Sequence, residues 1–337
     1  MNGARIGQFL ERYGVIIAFV VLLVWNGVFT ENAANFRTPE NLRNILNQNA
    51  STGIVAVGMT LVIVAGGIDL SVGSIMALAA AVALIVANAL AAHGFGDATC
   101  LLAGLCAGVG TGLGCGFVNG LLVTLGRLPS FIATLGGLVG YRSITLALAD
   151  AGEIRSENAS TLGSIGTAGI TVIPAGVFGR DYPLTVTWNI VVFLLVAIAG
   201  QVLLSRTRYG RHLVAVGGNE TAARYSAIAV DRVRLGAFLI VGACSAIAGL
   251  MATARMASVS SSQLGSQMEL DAIAAVVIGG TSMAGGRGRI WGTVLGLLIL
   301  AIINNMLVMS DVSTHWHGAV KGLIIVLAVL IQRSRRG

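Results

Sequence analysis

VIVAGGIDLSVGS at Val62–Ser74 separates two long apolar runs, residues 51–66 and residues 72–92. A helix needs about 20 apolar residues to cross the ~30 Å hydrocarbon core of a bilayer, and these runs are close to that length. Two glycines and the acidic Asp69 interrupt the apolar pattern between them. The stretch therefore predicts two membrane-spanning helices joined by a short connection that carries a carboxylate.

The composition extends this prediction to the whole chain. Of its 337 residues, 55% are hydrophobic and 10% are charged, whereas soluble domains carry about 25% charged residues. The ~10-residue alternating segments of a membrane β-barrel are not seen. We predict an all-α integral membrane protein, a single transmembrane domain over 1–337, with about ten spans: 13–29, 51–66, 72–92, 99–120, 129–149, 184–204, 233–254, 271–284, 290–309 and 316–332.

The positive charge is read as a topology signal. The net charge is +7, from twenty arginines and one lysine, set against 14 acidic residues. The arginines lie near the ends of apolar runs, which favours cytoplasmic loops over nucleic-acid binding. Six of them fall between Arg206 and Arg234. We therefore expect both termini and the loop 207–230 in the cytoplasm, and the loop 150–183 on the outer, periplasmic side. Before the second span, Thr38-Pro39-Glu40 predicts a helix start, with Thr38 as N-cap and Pro39 at the first position. We expect residues 39–48 to form a short interfacial helix on the outer face.

Two classes of chemistry are not predicted for this chain. A P-loop needs Gly-Lys-Ser/Thr, but Lys321 follows Val320, so we expect no ATP hydrolysis and no cofactor on this chain. The four cysteines form no Cys-x-x-Cys pair and lie in apolar runs, where they are typical of buried small side chains. No metal site is predicted.

A faint internal repeat relates spans 2–5 to spans 7–10 with inverted topology. Asp69-Leu70-Ser71 opens the third span, and Glu269-Leu270-Asp271 opens the eighth. Inverted repeats recur in transporters, with the pathway at the repeat interface. The fourth span also has a glycine at every fourth residue, which predicts either close helix packing or a sliding surface: Gly104, Gly108, Gly112, Gly116 and Gly120.

The inner loop 207–230 is more polar than its flanks. Gly217 and Gly218 break the chain, Asn219 is a helix N-cap, and Glu220 pairs with Arg224 four residues on. A two-turn helix to about residue 227 is predicted. The small Ala222 and Ala223 suit docking into a groove of a partner, although a simple positive loop is the alternative.

Several polar residues within apolar runs have two interpretations. Asp69 and Ser71 either cap the third span or line an inner gate, and we expect water to reach Asp69 near the cytoplasmic face. Asn119, Asn304 and Asn305 either line a pathway for a neutral solute or bridge helices. Glu269 and Asp271 begin the eighth span at the outer face. A membrane arginine such as Arg142 needs a partner, a cavity or a nearby interface.

The motifs resemble those of ribose-type sugar permeases of bacterial ABC importers. The similar stretches follow in order along nearly the whole chain: GMTLVIVAGGIDLSVGS at Gly58–Ser74, LPSFIATLGG at Leu128–Gly137, GGNETAA at Gly217–Ala223, ELDAIAAVVIGGTSMAGGRG at Glu269–Gly288 and VKG at Val320–Gly322.

The resemblance implies a type II importer-like permease that dimerises with itself or a paralogue. Partner ATPase subunits would bind ATP and Mg²⁺, and a periplasmic binding protein would deliver the sugar. It assigns the segment with Asn219 and Glu220 to ATPase coupling, although Ser226-Ala227-Ile228 departs from a common Ser-Gly-Ile. Rivals are another small polar cargo (another sugar, a furanosyl signal or a nucleoside), an ion-coupled transporter using Asp69, Glu269 or Asp271, and a membrane scaffold.

Overall fold

The computed structural model describes residues 3–30, 32–174 and 183–334, which are mainly helical. A π-helical turn at Trp25–Phe29 extends the first helix. The helices are α1 (Gly3–Val24), α2 (Ala33–Phe36), α3 (Pro39–Val64), α4 (Val72–Ala92), α5 (Asp97–Thr124), α6 (Ser130–Leu148), α7 (Ala159–Thr167), α8 (Trp188–Arg206), α9 (Arg208–Gly218), α10 (Glu220–Tyr225), α11 (Val230–Met256), α12 (Met268–Ile278), α13 (Ile290–Met309) and α14 (Thr314–Ser334). The strands are β1 (Glu153–Arg155), β2 (Gly169–Ile173), β3 (Leu184–Thr187) and β4 (Ser258–Ser260).

Seven helices within the described ranges are long and apolar enough to cross a membrane: α3, α4, α5, α6, α8, α11 and α13. The all-α membrane class is thus confirmed, but the count of ten spans is not. The predicted first span falls on the shorter apolar helix Gly14–Phe29, and the tenth falls on α14. The eighth falls on α12, whose 11 residues reach only about half-way through a ~30 Å core.

Helix α3 merges two predicted elements. A separate interfacial helix was expected before the second span, but Pro39–Val64 is one helix of 26 residues. No glycine or proline lies between the two predicted parts, so nothing ends the helix there. Its predicted start is confirmed, because the Thr38 hydroxyl accepts a hydrogen bond from the Asn41 amide at 3.3 Å.

The break between α3 and α4 lies where the sequence placed it. Gly66 has φ +83°, a backbone conformation that glycine adopts with little strain. The chain then runs through residues 67–71 without helical structure before α4 begins at Val72.

Helix packing follows the predicted inverted repeat. In the first half α4 packs on α5 and α6, and in the second half α12 packs on α13 and α14. Across the halves, α5 packs on α11 while α13 packs on α3. Each contact therefore has a counterpart in the other half.

The glycines of α5 form the close contacts with α4 and α11. A Cβ on Gly104 would lie 2.7 Å from the Ala83 carbonyl oxygen, and one on Gly112 would lie 2.5 Å from that of Gly242. Only hydrogen fits at such positions, which lets the helix backbones touch. Whether this surface also slides stays a prediction.

The long outer loop is tied to the helices. Strand β1 pairs antiparallel with β4, which follows α11, and β2 pairs with β3. Gly166 of α7 packs on the backbone at Ala254. Residues 175–182 of the predicted loop 150–183 lie outside the described residues.

Candidate functional site

A buried polar cluster surrounds Asp69 in the connection between α3 and α4. Asp69 is 0% exposed, so the expectation that water reaches it is wrong. One carboxylate oxygen accepts hydrogen bonds from the Ser71 amide at 2.8 Å and the Ser71 hydroxyl at 2.6 Å. The Ser71 side chain makes no N-cap bond to α4, so Asp69 closes a turn before the helix.

Asn119 of α5 joins this cluster to two neighbouring helices. Its amide donates to the Ser71 hydroxyl at 2.8 Å and lies 3.5 Å from the second oxygen of Asp69. Its carbonyl oxygen accepts from the Tyr141 hydroxyl of α6 at 3.0 Å. Three residues singled out from the sequence therefore meet. Tyr141 was not singled out from the sequence, because the neighbouring Arg142 is the more conspicuous polar residue in this span.

Helix α6 also holds the backbone on either side of Asp69. The Ile68 amide donates to the Ser130 hydroxyl at 3.1 Å, and the Leu70 amide donates to the Thr134 hydroxyl at 3.0 Å. A non-helical segment inside an apolar bundle needs such partners for its amides. The hydroxyls of α6 therefore satisfy the backbone amides on both sides of Asp69.

Asn304 and Asn305 do not lie in that cluster. Asn305 exchanges two hydrogen bonds with Asn41 of α3, at 2.9 Å and 3.2 Å. Asn304 lines a small cavity beside Asp271 and Lys321. The Lys321 ammonium lies 3.0 Å from the Asp271 carboxylate, a pair that the sequence did not predict.

Glu269 lies where the N-termini of α4 and α12 meet. A Cβ on Gly73 would lie 3.0 Å from a Glu269 carboxylate oxygen, and Gly73 also packs against the Gly265 backbone. Arg142 of α6 finds backbone partners here, donating to the carbonyls of Ser261 and Leu264 at 2.9 Å and 2.8 Å. The two acidic residues do begin a helix, but both face other helices of the same chain.

The predicted helix after Gly218 is α10. Asn219 caps it by accepting from the Ala222 amide at 2.9 Å. Glu220 receives hydrogen bonds from Arg224 at 3.0 Å and from Arg234 of α11 at 2.7 Å. Burial acts to raise the pKa of the Glu220 carboxyl, but these arginines outweigh it and hold the pKa below its ordinary value of 4.5.

The outward face of α10 differs from the prediction. Ala223 is buried against its own chain, whereas Ala222 is exposed. Tyr225, which the sequence reading did not single out, is 88% exposed. An exposed aromatic ring at the tip of a braced helix is typical of a docking contact.

Helix α9 was not predicted and connects α10 to the rest of the bundle. Leu213 and Val216, three residues apart, are both buried, which is a helical signal that the polar character of the loop concealed. At its end, Gly217 packs directly on the Val64 carbonyl and lies close to Gly286. The Gly286 amide donates to the same Val64 carbonyl at 2.9 Å. We call this contact of Val64, Gly217 and Gly286 the glycine junction.

A cavity of about 750 Å³ opens beside α10. It lies between Glu220 and Arg224 of α10, the glycines at the end of α3, and Ser130 at the start of α6. The cavity therefore lies between the α10 end of the bundle and the backbone segment that leads to Asp69.

Comparison with known proteins gives one family. The profile described as "Branched-chain amino acid transport system / permease component" matches residues 41–329. The ribose import permease protein RbsC of Escherichia coli strain K12 is 38% identical over 326 residues, covering 95% of this chain and 94% of that protein.

Two further relatives show the same full-length similarity. RbsC of Bacillus subtilis strain 168 is 39% identical, over 98% of this chain and 93% of that protein. The xylose transport system permease protein XylH of Haemophilus influenzae is 35% identical, over 97% of both chains. No solved structure matches. The chain therefore belongs to this family of transport-system permease components.

Proposed function

We propose that this chain is the membrane permease subunit of an ATP-binding-cassette importer for a monosaccharide, with a ribose-like pentose as the first expectation. The similarity to ribose and xylose permeases over nearly their whole length supports the cargo class. Within the chain, the observation that carries the proposal is the glycine junction behind α10.

An importer driven by a separate ATPase needs a surface for that ATPase and a stiff connection into the bundle. The braced helix α10, with Tyr225 exposed, supplies the surface. The junction supplies the connection, because Gly217 touches the end of α3 with no side chain between them. A displacement of α10 would therefore reach the segment before Asp69 through backbone contacts.

The arginine-rich loop favours a cytoplasmic position for α10 and for both termini. ATP and Mg²⁺ would then bind the partner ATPase, and the periplasmic binding protein would dock at the opposite end. A second permease protomer, identical or paralogous, would complete the translocation unit in the inner membrane. In this arrangement the cluster of Asp69, Ser71 and Asn119 would be an inner gate in its closed state.

The burial of Asp69 favours one second candidate function, ion-coupled transport. Asp69 is a fully buried carboxylate that, among the described residues, accepts hydrogen bonds from Ser71 and Asn119. Such a group is typical of a proton or cation site in an ion-coupled transporter. The pairing of Asp271 with Lys321 removes one of the three carboxylates that such a site would use.

Reconstitution in liposomes separates the two candidates. The permease, its ATPase and the loaded binding protein should accumulate labelled ribose or xylose only when ATP is present. The permease alone, with a proton or sodium gradient and no ATPase, should accumulate none. Gradient-driven uptake by the permease alone would overturn the proposal in favour of ion coupling.

A further inference from the structure

Another cavity, of about 290 Å³, lies between the two halves of the repeat. One wall is the first half of α3, and the other is the end of α11 with the segment that leads into α12. Its lining is rich in amide and hydroxyl side chains: Asn47, Gln48, Ser51, Thr52, Asn189 and Gln263. We call it the repeat cavity.

The repeat cavity lies far from the ATPase-coupling end of the bundle. Asn47 precedes Val64 by 17 residues in α3, which is about 25 Å along a helix axis. Gln48 and Gln263 are exposed, so the cavity is open to solvent. With α10 in the cytoplasm, it opens to the outer side, where a sugar arrives.

The polar groups of the repeat cavity are held in place, but several of them have no hydrogen-bond partner within the part of the chain that the structure describes. The Asn47 carbonyl oxygen accepts from the Thr187 hydroxyl at 2.7 Å and the Asn189 amide at 3.3 Å, which fixes the side chain and turns its NH₂ away from these partners. Among the described residues, the side chains of Gln48, Ser51 and Gln263 make no hydrogen bond. The cavity thus offers several free donors and acceptors.

The chemistry of the lining fits a neutral, hydroxyl-rich solute. Arg255 is its one charged lining residue within the described chain, and no carboxylate faces it to hold a cation. Met76 and Met268 add apolar surface for the C–H faces of a sugar ring. At ~30 Å³ for each water, the cavity has the volume of about ten waters, which is room enough for one pentose.

We propose that the repeat cavity is a sugar-holding site inside each protomer, entered from the outer side and selective for neutral pentoses over cations. The inference rests on the proposed function and adds a location that lies within one chain. Amides and hydroxyls from both halves of the repeat contact the sugar, so relative movement of the halves changes the shape of the site.

Cysteine protection tests the site directly. In a variant without native cysteines, Ser51→Cys is labelled by a maleimide, and Asn44→Cys, exposed on α3 and absent from the lining, is the matched control. Ribose or xylose alone, at roughly ten times its Kd, should slow labelling of Ser51→Cys about tenfold. Labelling of Asn44→Cys should not change, and betaine at equal osmolarity should protect neither.

Transport by the full complex separates the failures. Gln263→Ala and Ser51→Leu should lower sugar uptake per ATP by about tenfold, the effect of lost hydrogen bonds, with normal assembly and binding-protein-stimulated ATPase activity. If the unaltered complex imports no pentose, the proposed function fails. The repeat cavity is not a sugar site if the unaltered complex imports pentose and both variants import it equally well. The same conclusion follows if Ser51→Cys is protected only by the sugar-free binding protein and not by the sugar.

Discussion

Two adjacent glycines at the end of α9 allow a matched test of the glycine junction. Gly217→Ala and Gly218→Ala make the same chemical change, one residue apart in the same helix. A Cβ on Gly217 would overlap the Val64 carbonyl and lie 2.7 Å from the Gly286 amide nitrogen, whereas a Cβ on Gly218 would have its nearest neighbour at 3.9 Å. Only the first substitution should therefore push α9 away from α3.

The size of the effect follows from packing and helix propensity. Alanine in place of glycine favours a helix by up to about 1 kcal/mol, and both variants gain this. Overpacking costs about 1–3 kcal/mol, and only Gly217→Ala incurs it, because backbone atoms on both sides cannot rotate away. We expect Gly218→Ala to be neutral or slightly stabilising and Gly217→Ala to be less stable than it by about 1–3 kcal/mol.

The assay measures coupling as well as stability. In liposomes with the ATPase and the binding protein, Gly217→Ala should retain ATP hydrolysis and lose most sugar uptake per ATP. Hydrogen exchange should quicken around Gly286, whose amide loses its 2.9 Å bond to the Val64 carbonyl. Gly218→Ala should keep the ratio of uptake to hydrolysis.

One outcome would refute the junction as the transmission path. If Gly217→Ala shows faster exchange at Gly286 and yet couples uptake to hydrolysis as well as Gly218→Ala does, α10 acts through another contact. The exchange measurement guards against a variant that repacks without disturbing the junction, and thermal unfolding identifies one that fails to fold.

The remaining predictions concern four charged residues at three sites. Asp69→Ala should lower the free energy of unfolding by about 2–6 kcal/mol, because two buried Ser71 donors lose their acceptor at about 1–3 kcal/mol each. Asp69→Asn keeps an acceptor oxygen and should lower it by only about 1 kcal/mol. Equal denaturation midpoints for the two variants would contradict this. The pKa of the Glu220 carboxyl is held below 4.5, so the carboxylate stabilises α10 at neutral pH. This stability is lost only as the pH falls below about 4.5 and through the lowered pKa. Amide protection factors in α10 should show the same pH dependence, and Glu220→Gln should lower them already at neutral pH. Asp271→Asn and Lys321→Met should each lower the unfolding temperature, because each leaves one charge without its partner. The double variant should recover part of the loss, because removing both charges destabilises the fold less than leaving one unpaired. Additive losses would show that the pair is not coupled.

Local features of the fold could be predicted from the sequence because their causes lie within a few residues. The cap by Thr38 and the break at Gly66 each depend on neighbours in the chain. The same is true of α10, whose cap and Glu220–Arg224 pair lie within one helical turn or so. Helix α9 was missed because its short buried face is set among arginines.

The candidate site was predicted as separate residues and assembled only by the fold. Asp69, Ser71 and Asn119 were each singled out, but their contact depends on the register of α4 against α5, 48 residues apart in sequence. The register of α13 against α3 places Asn305 elsewhere, against Asn41. Neither the contact nor the separation follows from spacing along one helix.

The sequence by itself determined the membrane class, the helix start at Thr38 and the break at Gly66, since length, hydropathy and backbone freedom are local properties. It only indicated the inverted repeat. Tertiary structure decided that Asp69 is dry, that Lys321 pairs with Asp271, and that Gly217 rather than Gly218 touches α3. It also decided that two faces of the repeat enclose a polar cavity. The physical reason is that burial and contact depend on how helices distant in sequence pack, and packing at backbone distance depends on which single residue faces its neighbour.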